Sequence, residues 1–401
     1  MSCPEPERSR DTRVMVDRDY LLELTQQLVR IDSVNPEVEQ GGAGESSVAS
    51  YLAGRLGELG LEVGIHEAAP GRVSVIARLP GGGGGRSLML NGHLDTVGVA
   101  AMPEPFSGAV RDGRLYGRGS YDMKGSVAAC VAAIKAIQDA GISLAGDLVL
   151  AAVADEEHAS IGTTDVISRL SVDGVVVTEP TALRLCRAHK GFVWVEIETF
   201  GRAAHGSRYD LGIDANMAMG RVLGRLSILE AQLRARTPHP LVGAPSLHAA
   251  TIWGGTGLST YAASCVLRVE RRTVPGESAD EAIAELREIV AEIGDADPGF
   301  RAEVRVLMTR EPWETQADGP LARAVEHSAH DVLQRPPEHV GESFWMDAAL
   351  LAAAGVDTMV FGPTGAGAHA EEEWVEIRSL ELLAEILART AMEYCGPARQ
   401  S

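Results

Sequence analysis

An α/β layer protein interrupted by an inserted α+β domain is the fold class this sequence predicts, on two observations. Short apolar runs alternate with amphipathic helices through the first half and again near the C-terminus, the pattern of strands covered by helices. Between about 190 and 308 the order becomes strand, helix, strand, strand, helix, strand, which is the ferredoxin-like βαββαβ arrangement. With 401 residues, 45% of them hydrophobic, the chain is long enough for more than one core.

Taken in order, Leu21, Leu24 and Leu28 recur at helical spacing over 19–29, and a second helix is expected over 45–59. The period then shortens to strands at 61–65, 73–79 and 88–90, the last two separated by Pro80 and the glycine run 81–85. That run lacks the Lys-Ser/Thr of a phosphate loop and reads as a flexible turn. An Ala-rich helix over 125–140 precedes strands at 148–153 and 174–178. The insertion places strands at 192–200, 246–253, 264–272 and 302–307, with helices at 213–234 and 278–293. Its second helix is well marked: Ser278 and Glu281 form a capping box, and Ile283, Leu286, Val290 and Ile293 make an apolar stripe. Helices over 321–333 and 344–354 and a strand over 358–361 complete the first domain. The boundaries expected are a disordered lead-in at 1–16, a catalytic domain in two parts at 17–189 and 310–401, and the insertion at 190–309, with Lys190 and Gly191 as a hinge.

The net charge of −20, from 36 basic and 56 acidic side chains, argues against nucleic acid as a partner, because binding phosphates needs a basic face. Cys3, Cys130, Cys186, Cys265 and Cys395 stand singly, as reduced thiols do. No apolar run approaches the roughly 20 residues needed to span a bilayer, so a cytoplasmic enzyme without a membrane partner is expected.

Ionisable residues follow the candidate strands at their carboxyl ends: His93 and Asp95, Glu156 and Glu157, Glu179, and His369. Open α/β sheets bind ligands in the crevice outside those ends, so these residues are expected to converge. Asp122 joins them from a glycine-bracketed turn, 117–125. Imidazole nitrogens and carboxylates in such numbers suit zinc, with about three protein ligands per ion. His93, Asp122, Glu157, Glu179 and His369 serve two ions if one carboxylate bridges, and the short Asp122 is a reasonable bridge. Asp95, two residues after His93, is placed to accept the other imidazole N–H. Glu156 is left as the base.

Six stretches carry a resemblance: Asn91-Gly92-His93-Leu94-Asp95; Gly117 to Gly125 around Asp122; Asp155-Glu156-Glu157; Thr178-Glu179-Pro180; Gly201 to Gly206 around His205; and Gly365-Ala366-Gly367-Ala368-His369. In order and context they resemble the di-zinc metallohydrolase family of acetylornithine deacetylases, succinyl-diaminopimelate desuccinylases, aminoacylases and glutamate-releasing carboxypeptidases. The resemblance implies a zinc-peptidase-like catalytic domain with a mixed central sheet, and an insertion that serves as lid and dimerisation domain of a homodimer. It also implies two Zn2+ per chain, Co2+ being a substitute, with His93, Asp122 and Glu179 on one ion and Asp122, Glu157 and His369 on the other. A bridging water would be the nucleophile and Glu156 the general base. By the same resemblance the bond after Asp122 is cis, and His205 stabilises the oxyanion in a partner subunit's site. Arg272 would bind the substrate carboxylate. The loop 254–265 departs from the family, lacking its Asn-Val-x-Pro element near Thr260, and Tyr261 is expected to take part of that space beside the substrate. The expected reaction is release of an amino acid from a small N-acyl amino acid. A dipeptidase or carboxypeptidase using the same metals is the alternative, and a catalytically silent binding protein of this fold the third reading.

Overall fold

The computed structural model of the chain describes residues 14–398. Of the lead-in expected at 1–16, residues 1–13 lie outside the described residues, as does Cys3, whereas Val14 is buried against the first core. Two compact units form: Met1–Leu185, Gln316–His339 and Leu350–Ser401 make the first, Cys186–Thr315 and Val340–Ala349 the second. The second thus begins four residues before the expected hinge and also takes in sixteen residues from the C-terminal part, 310–315 and 340–349.

In the first unit a mixed sheet runs in the order Glu62–Ala69, Arg72–Leu79, Leu148–Val153, Leu88–His93, Gly174–Val177, Asp357–Val360. The first two strands pair antiparallel, and Arg72–Leu79 is also antiparallel to Leu148–Val153. The last four are mutually parallel. Strands Leu88–His93, Leu148–Val153 and Gly174–Val177 are buried at every position, which is why they read as continuous apolar runs instead of alternating ones. Leu88, Leu90, Leu148 and Leu150 meet the helices Arg18–Arg30, Ser46–Glu58, Gly125–Asp139 and Ile377–Cys395 in one hydrophobic core. Parallel pairing brings the carboxyl ends of four strands to one edge, and the loops that follow them carry the ionisable residues.

A second sheet had no counterpart in the periodicity. Strands Gly365–Ala366, Trp374–Glu376, Arg114–Tyr116 and Ala109–Arg111 pair in that order. Each has only two or three residues, too few to establish a period. Their pairing sets the turn bearing Asp122 beside the loop bearing His369, and Gly117 N–H donates to the Glu373 carbonyl at 3.0 Å. The helix expected over 344–354 is a correction: it runs only over Ala348–Ala353, directly after Asp347, a residue type favoured at a helix N-terminus.

The second unit has the expected topology, with strand order Ser246–Gly254, Ser264–Thr273, Gly191–Phe200, Ala302–Arg310, all antiparallel. Helices Ala215–Ala235 and Ala279–Ala296 pack on each other and on the sheet, burying Val193, Val195, Ile197, Leu226 and Leu286 in a separate core. The capping box forms at Ser278 and Glu281. Cys130, Cys186, Cys265 and Cys395 are buried free thiols. Among the described residues no helix is long and apolar enough to cross a membrane.

Candidate metal centre

His93 ends its strand fully buried. Its Nδ1 lies 2.9 Å from the main-chain oxygen of Asp95, an atom that can only accept, so Nδ1 carries a hydrogen and Nε2 is the nitrogen turned toward the carboxylates. Nε2 faces Asp122 Oδ1 at 3.0 Å and Glu179 Oε1 at 3.7 Å. The expectation that the Asp95 carboxylate orients this ring is corrected here: that carboxylate stands 3.7 Å from Nδ1 and is committed elsewhere. It accepts the backbone N–H groups of Glu156 and Glu157, each at 3.1 Å.

On the other side of Asp122, Oδ2 lies 3.3 Å from His369 Nε2, which is also 3.1 Å from Glu157 Oε2. Two groups of potential ligands therefore share Asp122: His93, Asp122 and Glu179, and Asp122, Glu157 and His369, the ligand atoms of each within 4.8 Å of one another. One oxygen of Asp122 serves each group. The Asp122–Met123 bond is cis.

The electrostatics are those of a cation receptor. Burial disfavours a charged His93, but its hydrogen bond to Asp122 and the charges of Glu179 and Asp122 outweigh this and hold its pKa well above the usual imidazole value. His369 is pushed up to about 10 by its bonds to Asp122 and Glu157. Glu157 is raised, first by burial and then by the charge of Asp122. Among the described residues its Oε1 is buried without a hydrogen-bond partner, an oxygen that a bound cation would satisfy. Three carboxylates, two imidazoles and this orphaned oxygen fit a pair of divalent ions.

Glu373, which sequence reasoning did not single out, organises the Asp122 turn. Its buried carboxylate accepts the N–H groups of Gly119 at 3.1 Å, Tyr121 at 2.9 Å and Asp122 at 3.0 Å, and pairs with Arg118 Nη1 at 2.6 Å. Arg118 in turn donates to the carbonyls of Ala370, at 2.8 Å, and Gly98, at 3.1 Å. Gly119 adopts φ +79°, and a side chain there would meet Thr96 and Lys124. The Gly-Arg-Gly spacing was the available signal, but the acidic partner is 255 residues away.

Three expected residues belong to the second unit. His205 is exposed, and its Nδ1 takes hydrogen bonds from Ser207, with Oγ at 2.8 Å and N at 3.3 Å. Tyr261 is half-buried with its ring against Gly212, where an added Cβ would come within 2.4 Å of it. Arg272 is paired with Glu270 at 2.8 and 3.2 Å and lies 5.1 Å from the Phe192 ring centroid. Lys190, expected only as a hinge, donates from Nζ to the Ala244 carbonyl at 2.6 Å.

Residues 89–393 match the model of peptidase family M20/M25/M40, and the chain belongs to that family. It is a hydrolytic enzyme acting on amide bonds. An acetylornithine deacetylase of Myxococcus xanthus is 30% identical over 343 residues, 83% of this chain and 87% of that protein. Among solved structures, a tripeptidase from Staphylococcus aureus superposes with a TM-score of 0.79 at 20% identity, covering 95% of this chain and 99% of that one. The Bacillus subtilis YxeP protein, a dinuclear metal-binding peptidase of the M20 family, superposes at 0.71 with 16% identity, covering 93% and 97%.

Proposed function

We propose that this chain hydrolyses the amide bond of a small N-acyl amino acid and releases the amino acid. The observation that carries the reading is the meeting of two ligand groups at Asp122, with Glu156 adjoining Glu157. Similarity to the Myxococcus xanthus deacetylase supports this substrate class, and the dinuclear site of the Bacillus subtilis protein supports two ions per chain. His93, Asp122 and Glu179 would hold one and Asp122, Glu157 and His369 the other, a donor set suited to Zn2+ with Co2+ as a substitute. When bound, the ions supply Lewis acidity toward the scissile carbonyl and lower the pKa of the attacking water. Glu156 takes the proton of that water and returns it to the departing amine. Asp95 positions both sides of the site, through its carbonyl on His93 and its carboxylate on the Glu156–Glu157 backbone.

The second unit is read as lid and dimerisation domain, with His205 donating to the oxyanion in a partner's site. Its Nδ1 accepts the Ser207 N–H, which leaves Nε2–H as the donor. Arg272 would take the substrate carboxylate by exchanging Glu270 for it, and Tyr261 would line the acyl side. Mixing His205→Ala with Glu156→Ala chains is expected to restore activity in hybrid dimers; no recovery in proven hybrids removes the cross-subunit role.

The reading is tested by incubating metal-loaded protein with N-acetyl, N-succinyl and N-formyl amino acids and with dipeptides, scoring released amine. Release from the acylated set is expected. Release from dipeptides alone would turn the reading to a peptidase, which the fold likeness to the tripeptidase favours as the second choice. No release from either set would favour a binding protein.

A further inference from the structure

Behind the Glu156–Glu157 turn lies a buried polar chain of which the catalytic scheme uses only Asp95. Arg72, 6% exposed, forks onto Glu45 with Nε at 2.9 and 3.1 Å from its two oxygens, and reaches Asp155 Oδ1 with Nη1 at 2.9 Å. Asn35, fully buried, donates both hydrogens of its amide, to Asp155 Oδ1 at 3.0 Å and to Asp95 Oδ2 at 2.8 Å. Asp95 then holds the N–H groups of Glu156 and Glu157. The far end is closed by Glu45, whose Oε1 accepts the Asp155 N–H at 3.2 Å.

Two features of this chain are costly, and a third shows how firmly it is held. It buries the carboxylates of Glu45, Asp95 and Asp155 with a single guanidinium, and desolvating charge is expensive even when paired. Asp155 sits at φ +66°, a left-handed conformation that a residue with a Cβ adopts only when its surroundings impose it. Asn35 is itself held: its N–H donates to Thr96 O at 2.9 Å, and its Oδ1 accepts the Glu37 N–H at 3.0 Å. A core built for stability alone would fill this space with apolar groups. The costs converge on one turn, the one that presents Glu156 and Glu157.

We propose that Asn35 and Arg72 are positioning residues for hydrolysis: through Asp155 and Asp95 they fix the backbone of the Glu156–Glu157 turn, and with it the general base and one ligand of the Glu157–His369 group. The proposal rests on the reading of that site as the catalytic centre. It makes a selective prediction, because Glu157 belongs to one ligand group and not to the other. Weakening the strut loosens the base and the Glu157 position more than the His93–Glu179 position, because Asn35 and the Glu156–Glu157 amides bind the Asp95 carboxylate whereas His93 is held by its main-chain oxygen.

The test uses the full chain with Asn35→Leu, and Arg72→Lys as a milder variant that keeps the charge but loses the fork. In chelator-treated protein, amide hydrogen exchange at Glu156 and Glu157 is expected to rise about 10-fold or more over the parent, with strand Leu148–Val153 unchanged. In metal-loaded protein, kcat is expected to fall about 10- to 100-fold with KM within about twofold, and one of two ions to leave at a lower chelator concentration. Arg72→Lys should fall between Asn35→Leu and the parent. Unchanged exchange at the two amides overturns the strut whatever the activity, as does a uniform rise across the unit with both ions leaving together. A parent chain that holds no metal and turns over nothing sinks the functional reading instead, and the exchange measurement still decides the strut.

Discussion

Glu45, Arg72, Asp95, Arg118, Asp155 and Glu373 of the first unit are each at most 6% exposed, whereas the second unit carries pairs such as Arg225–Glu292 and Arg221–Asp297 at its surface. The second unit has one fully buried arginine, Arg271, paired with Glu277 and Glu285. Its stability comes from an apolar sheet face under two helices. In the first unit the buried charges are not spread through the core. They stand behind the loops that bear His93, Asp122, Glu157 and His369. Surface pairs contribute little to stability, and buried ones cost desolvation, so neither placement is explained by stability. What differs is position: buried, fully bonded carboxylates hold loop backbones to one geometry, which a ligand cluster requires and a sheet covered by helices does not.

The largest expected effect tests whether the first unit's charges are functional. Glu156→Ala should lower kcat by about 10²- to 10⁴-fold, the usual range for a lost general base, while two ions per chain remain by elemental analysis. Retained turnover would remove Glu156 from the role. Next is Glu373→Gln, which leaves Arg118 buried without its counter-charge. A loss of about 3–5 kcal/mol is expected in urea unfolding of metal-free protein, accompanied by weaker metal retention. A loss below about 1 kcal/mol would mean that the clamp is dispensable and the contrast between the units overstated.

The smallest sharpens the comparison from the second unit. His189 is buried there, 5.4 Å from the ring centroid of Trp313 and 6.1 Å from that of Trp345, and burial pushes its pKa down to about 4. The folded form keeps the ring neutral while the unfolded chain protonates it near the ordinary imidazole value of 6.5. Stability from this residue is therefore fully present above pH 6.5 and lost as pH falls toward 4. At about pH 4.5 the parent should have lost about 2–3 kcal/mol that a His189→Leu chain retains, read as the difference in urea midpoints between about pH 7 and 4.5. Equal losses in both chains would show that His189 does not couple to acid unfolding.

Much of the fold was legible because its signals are local. Strand Leu148–Val153 and the capping box at Ser278 stand where periodicity and capping chemistry put them. The five candidate ligands were legible for a related reason: each directly follows a strand or a glycine turn, and parallel strands carry such positions to one edge. The final helix, Ile377–Cys395, was missed although Leu380, Leu383 and Leu387 repeat at helical spacing. The short sheet around Trp374 was missed because two or three residues make no pattern. Asn35, Arg72 and Glu373 gave no signal, since an isolated Asn, Arg or Glu usually reads as a solvated side chain.

Local chemistry along the chain was therefore enough to determine the layer architecture, the βαββαβ insertion and the residue types that meet at the site. Apolar period, turn residues and capping are properties of neighbours in sequence. Only the tertiary structure decided that His93 is oriented by a carbonyl and not by the Asp95 carboxylate, and that Asp122 turns one oxygen to each ligand group. It alone joined Glu373 to a turn 251 to 255 residues away and Asn35 to an aspartate 120 residues away. Hydrogen bonds at such separations depend on the path of the backbone through space, which no window of sequence contains.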